Sequence, residues 1–330
     1  MLPQTAGGPN PAFGGVRLHI HTDWNGLPED ARGAAVALGN FDGIHRGHRA
    51  VIDAARAVAD ERGRPLGVVT FEPHPRQYFA PDAPPFRLMN AEARAHRLQR
   101  LGVQHLFQLP FDERIASQSA EAFAADVLAR GLGVSHVAVG ADFRFGRGRQ
   151  GDAAMLVDLG PANGFSVSAQ PLVGEAGTDF SSTRIRKALS EGRPDEAERM
   201  LGHWHRIEGE VLHGEKRGRT LGYPTANMAM DGLHLPRFGV YAVRADILTG
   251  PRAGETHGGA ASLGVRPTFG VNAPNLETFL LDFNGDLYGE HLSVALIAFL
   301  RPEMAFNCAQ QLIIQMEQDV IDARRVLAAT

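Results

Sequence analysis

Leu38-Gly39-Asn40-Phe41-Asp42-Gly43-Ile44-His45-Arg46-Gly47-His48 joins an apolar run, Ala34–Leu38, to a segment, Gly47–Asp60, whose Val51, Ile52, Ala55, Val58 and Ala59 fall on one face of a 3.6-residue period. The stretch therefore reads as strand, turn, helix. Gly39, Gly43 and Gly47 let backbone approach a ligand closely. The helix that follows offers free N–H groups and a partial positive charge to an anion. In open α/β folds ligands lie beyond the carboxyl ends of the strands, where this turn falls. His45 and His48 are suitable hydrogen-bond donors for charge that grows on a phosphorus and on a departing pyrophosphate. Two histidines at this spacing also suit a metal, or a solvated or capping loop. No third histidine, cysteine or carboxylate cluster lies nearby to complete a metal set.

The same alternation extends outward from this turn. Leu66–Phe71 is apolar, Glu92–Leu101 is helical, Leu106–Leu109 is a strand, and Ser119–Arg130 is a helix closed by Gly131. Val137–Gly140 is a strand, Asp152–Leu159 a helix and Phe165–Leu172 extended. This order predicts an α/β doubly wound parallel sheet with helices on both faces. Ser181-Ser182-Thr183 opens a helix through Leu189 that Gly192 stops, and a second helix, Asp195–Leu201, ends at Gly202. Residues 188–202 are read as a helical linker between a domain over 16–187 and one over 203–330.

Beyond His203 strands dominate: Ile207–Leu212, Val240–Leu248, Ala260–Val265, Leu276–Phe283 and His291–Leu300. Arg217-Gly218, Asp231-Gly232 and Asn284-Gly285 mark turns between them. Short strands at this spacing predict an antiparallel β-barrel or sandwich. A C-terminal helix with an apolar stripe of Leu312, Ile313, Met316, Val320 and Ile321 should pack on it.

The 330 residues are 44% hydrophobic and 21% charged, ordinary for globular domains with real cores. A net charge of -4 and a pI near 6.4 disfavour a nucleic-acid or anionic-membrane partner. Phosphate chemistry must then come from locally placed cations and N–H groups. Cys308, the single cysteine, excludes an internal disulfide and reads as a small core residue of the C-terminal helix. Residues 1–15 are Gly- and Pro-rich without basic residues, so they read as a disordered leader rather than a signal peptide. No stretch approaches a membrane span, and a cytoplasmic protein is expected.

Further candidates follow from residue type and position. Gly140-Ala141-Asp142-Phe143-Arg144-Phe145-Gly146-Arg147-Gly148-Arg149-Gln150-Gly151-Asp152 follows a strand. Asp142 suits Mg²⁺ or the orientation of a ligand. Phe143 and Phe145 offer apolar surface to a flat ring, or simply pack in the core. Phe71-Glu72-Pro73-His74-Pro75 holds His74 in a rigid loop without an evident role. Arg184, with Ser181, Ser182 and Thr183 at a helix start, suits phosphates. In the second half, Gly214, Gly218 and Gly222 recur every four residues around Lys216, Arg217 and Arg219. Such a loop can close over phosphates or be a solvated hairpin tip. Thr225 and Asn227 share one face of an extended segment and are hard ligands for Mg²⁺. Glu277, an acid within an apolar strand, faces solvent or acts as a base.

The string Asn40 to His48 resembles the nucleotidylyltransferase superfamily signature in its bacterial FAD synthetase branch. The stretches at Phe71–Pro75, Gly140–Asp152 and Ser181–Arg186 match the same branch. That resemblance implies a doubly wound nucleotidylyltransferase domain whose His45 and His48 bind ATP phosphates and stabilise the transition state. Gly39, Phe41, Asp42, Gly43 and Gly47 then line the ATP site, Arg184 joins the catalytic set, and Asp142, Phe143 and Phe145 meet the flavin. Gly222-Tyr223-Pro224-Thr225-Ala226-Asn227, Leu280–Gly289 and Phe299–Phe306 resemble riboflavin kinases, with their six-stranded barrel. Here the resemblance implies that Thr225 and Asn227 hold MgATP, Glu277 is the base for the ribityl 5′-hydroxyl, and Arg301 contacts flavin unless it pairs with Glu303. Gly214, Lys216, Gly218, Arg219 and Gly222 would cover the nucleotide. Two features depart from the family pattern: a long Gly250–Gly258 connection, and Ser262-Leu263-Gly264 before Arg266-Pro267-Thr268.

The two resemblances together imply phosphorylation of riboflavin to FMN and adenylylation of FMN to FAD. Mg²⁺ would be the cofactor, and ATP, riboflavin, FMN and FAD the substrates and products. Flavoproteins would be recipients, and a homo-oligomer is compatible with the sequence. Two rivals remain at this point: an adenylyltransferase for another phosphate ester, and a non-enzymatic flavin-binding regulator.

Overall fold

The computed structural model describes residues 16–175, 178–213, 222–265 and 273–330. The expected leader and loop residues Gly214, Lys216, Gly218 and Arg219 lie outside them. By its internal contacts the chain forms two compact units: Met1–Pro84 with Arg94–Phe180, and Pro85–Ala93 with Ser181–Thr330.

The first unit is built on a six-stranded parallel sheet. Its strands are β1 (His19–His21), β2 (Ala35–Leu38), β3 (Leu66–Glu72), β4 (His105–Pro110), β5 (His136–Gly140) and, after a ribbon of β6 (Arg144–Phe145) and β7 (Gly151–Asp152), β8 (Ser166–Gln170). Their order is β1-β4-β3-β2-β5-β8. From β2 the chain moves outward through β3 and β4, then returns to lay β5 on the other side of β2. That reversal is a topological switch point, and it opens a crevice beyond the carboxyl ends of β2 and β5. Strand β2 is buried at every position, as strands covered on both faces are.

Helix α1 (Arg46–Arg62) packs on β2 and β5 and stops at Gly63, whose φ is 58°. Helices α2 (Pro75–Phe79) and α3 (Ala91–Arg100) follow. Helix α4 opens at Ala120–Ala122 and continues as a π-helix over Phe123–Leu132. Sequence reading closed this helix at Gly131, but it runs on to Gly133, φ 62°. Gly131 serves a close approach instead: a Cβ there would lie 2.7 Å from Trp24 Cδ1 and 2.9 Å from the Asp126 carbonyl. Helix α5 (Ala153–Ala162) is capped by Asp152, whose carboxylate accepts the Met155 N–H at 2.9 Å. Trp24, Leu38, Phe71, Phe107, Phe123, Leu128, Val137 and Leu156 share one core. A final ribbon pairs β9 (Gly174–Glu175) with β10 (Thr178–Asp179).

The second unit is an antiparallel six-stranded barrel. Its strands β11 (Arg206–Glu210), β12 (Thr225–Ala229), β13 (Gly239–Ile247), β14 (Thr256–Val265), β15 (Pro274–Leu280) and β16 (His291–Arg301) lie in the order β11-β16-β13-β14-β15-β12. The Leu212 N–H donates to the Asn227 carbonyl at 2.8 Å and brings the two ends of that order together. Inside are Ile207, Met228, Tyr241, Val243, Leu263, Leu276, Leu292 and Val294. Helices α6 (Ser182–Ser190) and α7 (Pro194–Leu201) pack on each other, and α7 on β16. The segment 85–93 straps this unit. Its Arg87 bridges to Leu233, and the Asn90 amide donates to the Glu208 carbonyl at 2.9 Å.

Helix α8 (Ala309–Ala328) lies on β13, β14 and β16. Leu312, Ile313, Met316 and Val320 are half-buried beneath it, with Asp319 and Ala323 buried. Ile321, expected in that stripe, is exposed, because the buried face runs through Asp319 and Ala323. Cys308 is exposed at the residue before the helix, not in its core, so the core reading of the thiol is corrected. Gly250–Gly258 becomes the turn after β13 and the first residues of β14.

Candidate active sites

In the first unit, the loop between β2 and α1 ends on His45, the N-cap of α1. The His48 N–H donates to His45 Nδ1 at 3.3 Å. The two rings stack with centroids 3.8 Å apart at 22°. Gly47 makes this stacking feasible: a Cβ there would meet His45 Cε1 at 3.0 Å and Nδ1 at 3.1 Å. Phe41 and Ile44 take positive φ, 51° and 44°, beside Gly43 at 86°. Non-glycine residues adopt that region only when their surroundings hold them there. Here the anchors are the buried side chains of Phe41, Asp42 and Ile44, the Gly39 N–H donating to the Val69 carbonyl at 3.1 Å, and the Thr70 hydroxyl donating to the Asn40 carbonyl at 3.1 Å.

Burial pushes the His45 imidazole down to about 4. Burial and then the neighbouring His45 hold His48 well below the usual histidine range. Both rings are therefore neutral near pH 7 in the ligand-free protein. Nδ1 of His48 is buried without a hydrogen-bond partner among the described residues. A polar atom left so is costly, and a phosphate oxygen at the α1 N-terminus would relieve it.

Across the switch point, β5 leads into Gly140–Asp152. Asp142 is exposed. Phe143 is half-buried and stacks on Phe145 at 5.7 Å, while Phe145 is committed to the core against Phe123. Of the two rings, Phe143 alone keeps surface for a ligand. His74 gains a structural role. It caps α2, with Nδ1 accepting the Arg76 N–H at 3.0 Å while the His74 backbone N–H donates to Gln77 Oε1 at 3.2 Å. That cap presents an aromatic group that sequence reasoning missed. Tyr78, Phe79 and Phe111 meet edge to face with centroids 5.1–5.7 Å apart beyond β3 and β4, and Phe79 is 67% exposed. A helix of one turn has no periodicity by which to find it.

Ser181, Ser182, Thr183 and Arg184 open α6 and group with the second unit. The Arg184 N–H donates to the Ser181 hydroxyl at 3.4 Å, so Ser181 is the cap.

In the second unit, β12 and β15 pair so that Asn227 lies opposite Glu277 and Thr225 opposite Phe279. Thr225, Asn227 and Glu277 share the face turned away from Ala226, Met228, Leu276 and Leu280, which line the barrel core. Asn275, a buried residue not anticipated, stands beside them. Its amide donates to Glu277 Oε1 at 3.1 Å and reaches Asn227 Oδ1 at 3.5 Å. The signal for it was the two-residue spacing Asn275–Glu277 on one strand face. The Asn227 amide donates to the Thr225 carbonyl at 3.2 Å, which leaves its oxygen facing Asn275. The Thr225 hydroxyl and the Asn227 amide oxygen fit Mg²⁺, which takes hard oxygen ligands and completes its shell with phosphate and water, and the Glu277 carboxylate stands beside them.

Gly222, φ 87°, starts the turn into this strand, and Tyr223 meets Phe279 at 5.2 Å. A cavity of about 150 Å³ adjoins Thr225; Val211, Pro224, Leu280, Phe283, Leu287 and Tyr288 contribute to its wall. Arg301 does not pair with Glu303. Its guanidinium holds the Asp319 carboxylate with two bonds of 2.7 Å, tying β16 to α8.

Comparison with known proteins matches a FAD synthetase family model to residues 27–184 and a riboflavin kinase model to residues 201–327. A Pseudomonas fluorescens protein named bifunctional riboflavin kinase/FMN adenylyltransferase is 43% identical over 92% of this chain and 96% of its own length. Its namesake in Escherichia coli K12 is 39% identical, over 90% and 94%. The Bacillus subtilis protein of the same name is 34% identical, over 93% and 97%. A Streptococcus pneumoniae crystal structure described as a macrolide-efflux protein superimposes with a TM-score of 0.78 at 31% identity, covering 93% and 98% of the two chains. No helix among the described residues of the present chain is long and apolar enough to cross a membrane.

Proposed function

The chain belongs to the family of bifunctional riboflavin kinase/FMN adenylyltransferases, and on that premise we propose how its residues divide two reactions between two sites. It phosphorylates riboflavin to FMN and converts FMN to FAD, both with ATP. An adenylyltransferase for another phosphate ester leaves the matched riboflavin kinase half without a purpose, and a non-enzymatic regulator leaves His48 and Glu277 without one.

In the adenylyl transfer, an FMN phosphate oxygen attacks the α-phosphorus of ATP, and the bond to the bridging oxygen breaks to release pyrophosphate. We assign the triphosphate to the N-terminus of α1, cradled by Gly39, Phe41, Asp42, Gly43 and Gly47. His45 and His48, uncharged beforehand, donate to the oxygens on which charge accumulates. Phe143 and the exposed Phe79 group offer faces for the isoalloxazine, with Asp142 at the edge. Ser181, Ser182, Thr183 and Arg184 suit phosphate through a helix start and a guanidinium. Reading Arg184→Met in both half-reactions separately decides which nucleotide they serve.

In the kinase reaction, Glu277 takes the proton of the ribityl 5′-hydroxyl, whose oxygen attacks the γ-phosphorus as ADP leaves. Asn275 orients the Glu277 carboxylate. Thr225 and Asn227 would hold Mg²⁺, which when bound neutralises charge between the β- and γ-phosphates. Gly214, Lys216, Gly218, Arg219 and Gly222 would cover the nucleotide, with its base in the cavity beside Thr225. Arg301, oriented by Asp319, is kept as a candidate flavin contact.

The register that sets Asn227 against Glu277, with Thr225 on the same face, carries the kinase reading. The cytoplasm is the proposed compartment, and flavoproteins are the proposed recipients of the FAD. The test is chromatography of flavins over time after riboflavin, ATP and Mg²⁺ are added. FMN should appear first and FAD after it; no FMN would overturn the kinase assignment.

A further inference from the structure

Thr278 lies on the barrel's inward face of β15, between Leu276 and Leu280. Its side chain is 1% exposed, yet its hydroxyl has no hydrogen-bond partner among the described residues. Buried polar groups are nearly always paired, so this one needs a reason. The residue lines the cavity that adjoins Pro224 and Thr225. Its cross-strand neighbours are Ala226 on β12 and Ala261 on β14. Two alanines are small neighbours, so the side chain stands at the wall of that cavity with little bulk around it. Valine has the same shape, suits a strand as well, and would leave no polar atom unsatisfied. Packing alone therefore favours valine, and the hydroxyl is explained by a ligand.

The cavity's place and lining narrow the ligand. Its volume of about 150 Å³ admits a flat heterocycle. Leu280, Phe283, Leu287 and Tyr288 supply apolar and aromatic surface, as heterocycle pockets do. It opens beside Thr225, on the strand where the phosphates of the kinase reaction are assigned.

We propose that Thr278 is a nucleotide-recognition residue of the kinase site, its Oγ1 hydrogen-bonding a ring heteroatom or exocyclic group of the purine base of ATP. The inference rests on the kinase reading of the second unit and adds a contact within it. A threonine hydroxyl can donate or accept, so it meets either kind of group on the base edge. The bond also removes the desolvation cost that the free hydroxyl bears, so it forms only with nucleotide present.

The test uses the full-length protein with Thr278→Val and Thr278→Ser. For FMN formation, Thr278→Val should raise the KM for ATP about tenfold, the loss of one neutral hydrogen bond. The KM for riboflavin and kcat should stay near wild type. Thr278→Ser should keep the wild-type KM for ATP. FAD formation from supplied FMN, at the other site, is the internal control and should not change. Without nucleotide, the valine variant should unfold at a temperature no lower than wild type, because it loses an unsatisfied polar group. A wild-type KM for ATP in Thr278→Val, or a change in the KM for riboflavin instead, overturns the inference. So does a serine variant as impaired as the valine one. Glu277→Gln separates the two levels. If it keeps full kinase activity the underlying kinase reading fails. If it loses that activity while Thr278→Val has a normal KM for ATP, only the role of Thr278 fails.

Discussion

Gly47 shows how closely a single position controls the first site. The His45 and His48 rings stack across it, and the nearest His45 atom would lie 3.0 Å from a Cβ there. Gly47→Ala must push one ring aside, and misplacement of about an ångström costs on the order of 10²-fold in rate. The prediction is a loss of that size in FAD formation with FMN formation unchanged, measured on the two half-reactions separately. A histidine pair at this spacing was legible because glycines and a helix start surround it. Its neutral state was not legible, since that comes from burial by residues distant in the chain. Asn275 was harder to see: an asparagine beside Pro274 reads as a turn, and only the extended course of β15 puts it on the face of Glu277.

At the scale of elements, α8 depends on one buried ion pair. Arg301 and Asp319 are both mostly shielded and meet through two bonds of 2.7 Å. Removing one partner strands the other charge, which costs about 3–5 kcal/mol for buried pairs. Asp319→Ala should lower the urea midpoint of the second unit accordingly. The double variant Arg301→Leu with Asp319→Leu should recover most of that loss; equal instability of the two would contradict the account. Helix α4 gives a second case. Gly131→Ala places a methyl 2.7 Å from Trp24, and overpacking of that kind costs about 1–3 kcal/mol, readable in the same urea titration. Sequence reading took Gly131 as a stop because glycine usually ends helices, whereas here tertiary crowding set its identity. The α8 stripe was misread at Ile321 because a buried, paired aspartate carries no hydrophobic signal.

For the molecule as a whole, the βα alternation and the later run of strands made the parallel sheet and the barrel legible. The strap at 85–93 was not legible, because it is held by a bridge to Leu233 and by the Asn90–Glu208 bond, contacts without sequence periodicity. Acid sensitivity also belongs to this scale. Burial lowers His45, His105 and His136 to about 4 and His205 to about 3. Unfolded histidine titrates near 6.5, so between those values the unfolded chain binds more protons. The stability these neutral rings contribute is complete above about pH 6.5 and is lost as pH falls toward 4. The urea midpoint should drop between pH 7 and pH 5, and His105→Leu should flatten the profile.

The central claim is that two independent sites act in sequence on one flavin. It is tested most directly by mixing the full-length variants His48→Ala and Glu277→Gln with riboflavin, ATP and Mg²⁺ and following the flavins by chromatography. Alone, the first should accumulate FMN without FAD, and the second should leave riboflavin unchanged. Together they should produce FAD, since FMN released by one serves the other. A folded single variant that stops both half-reactions, or a mixture that makes FMN but no FAD, would contradict the account.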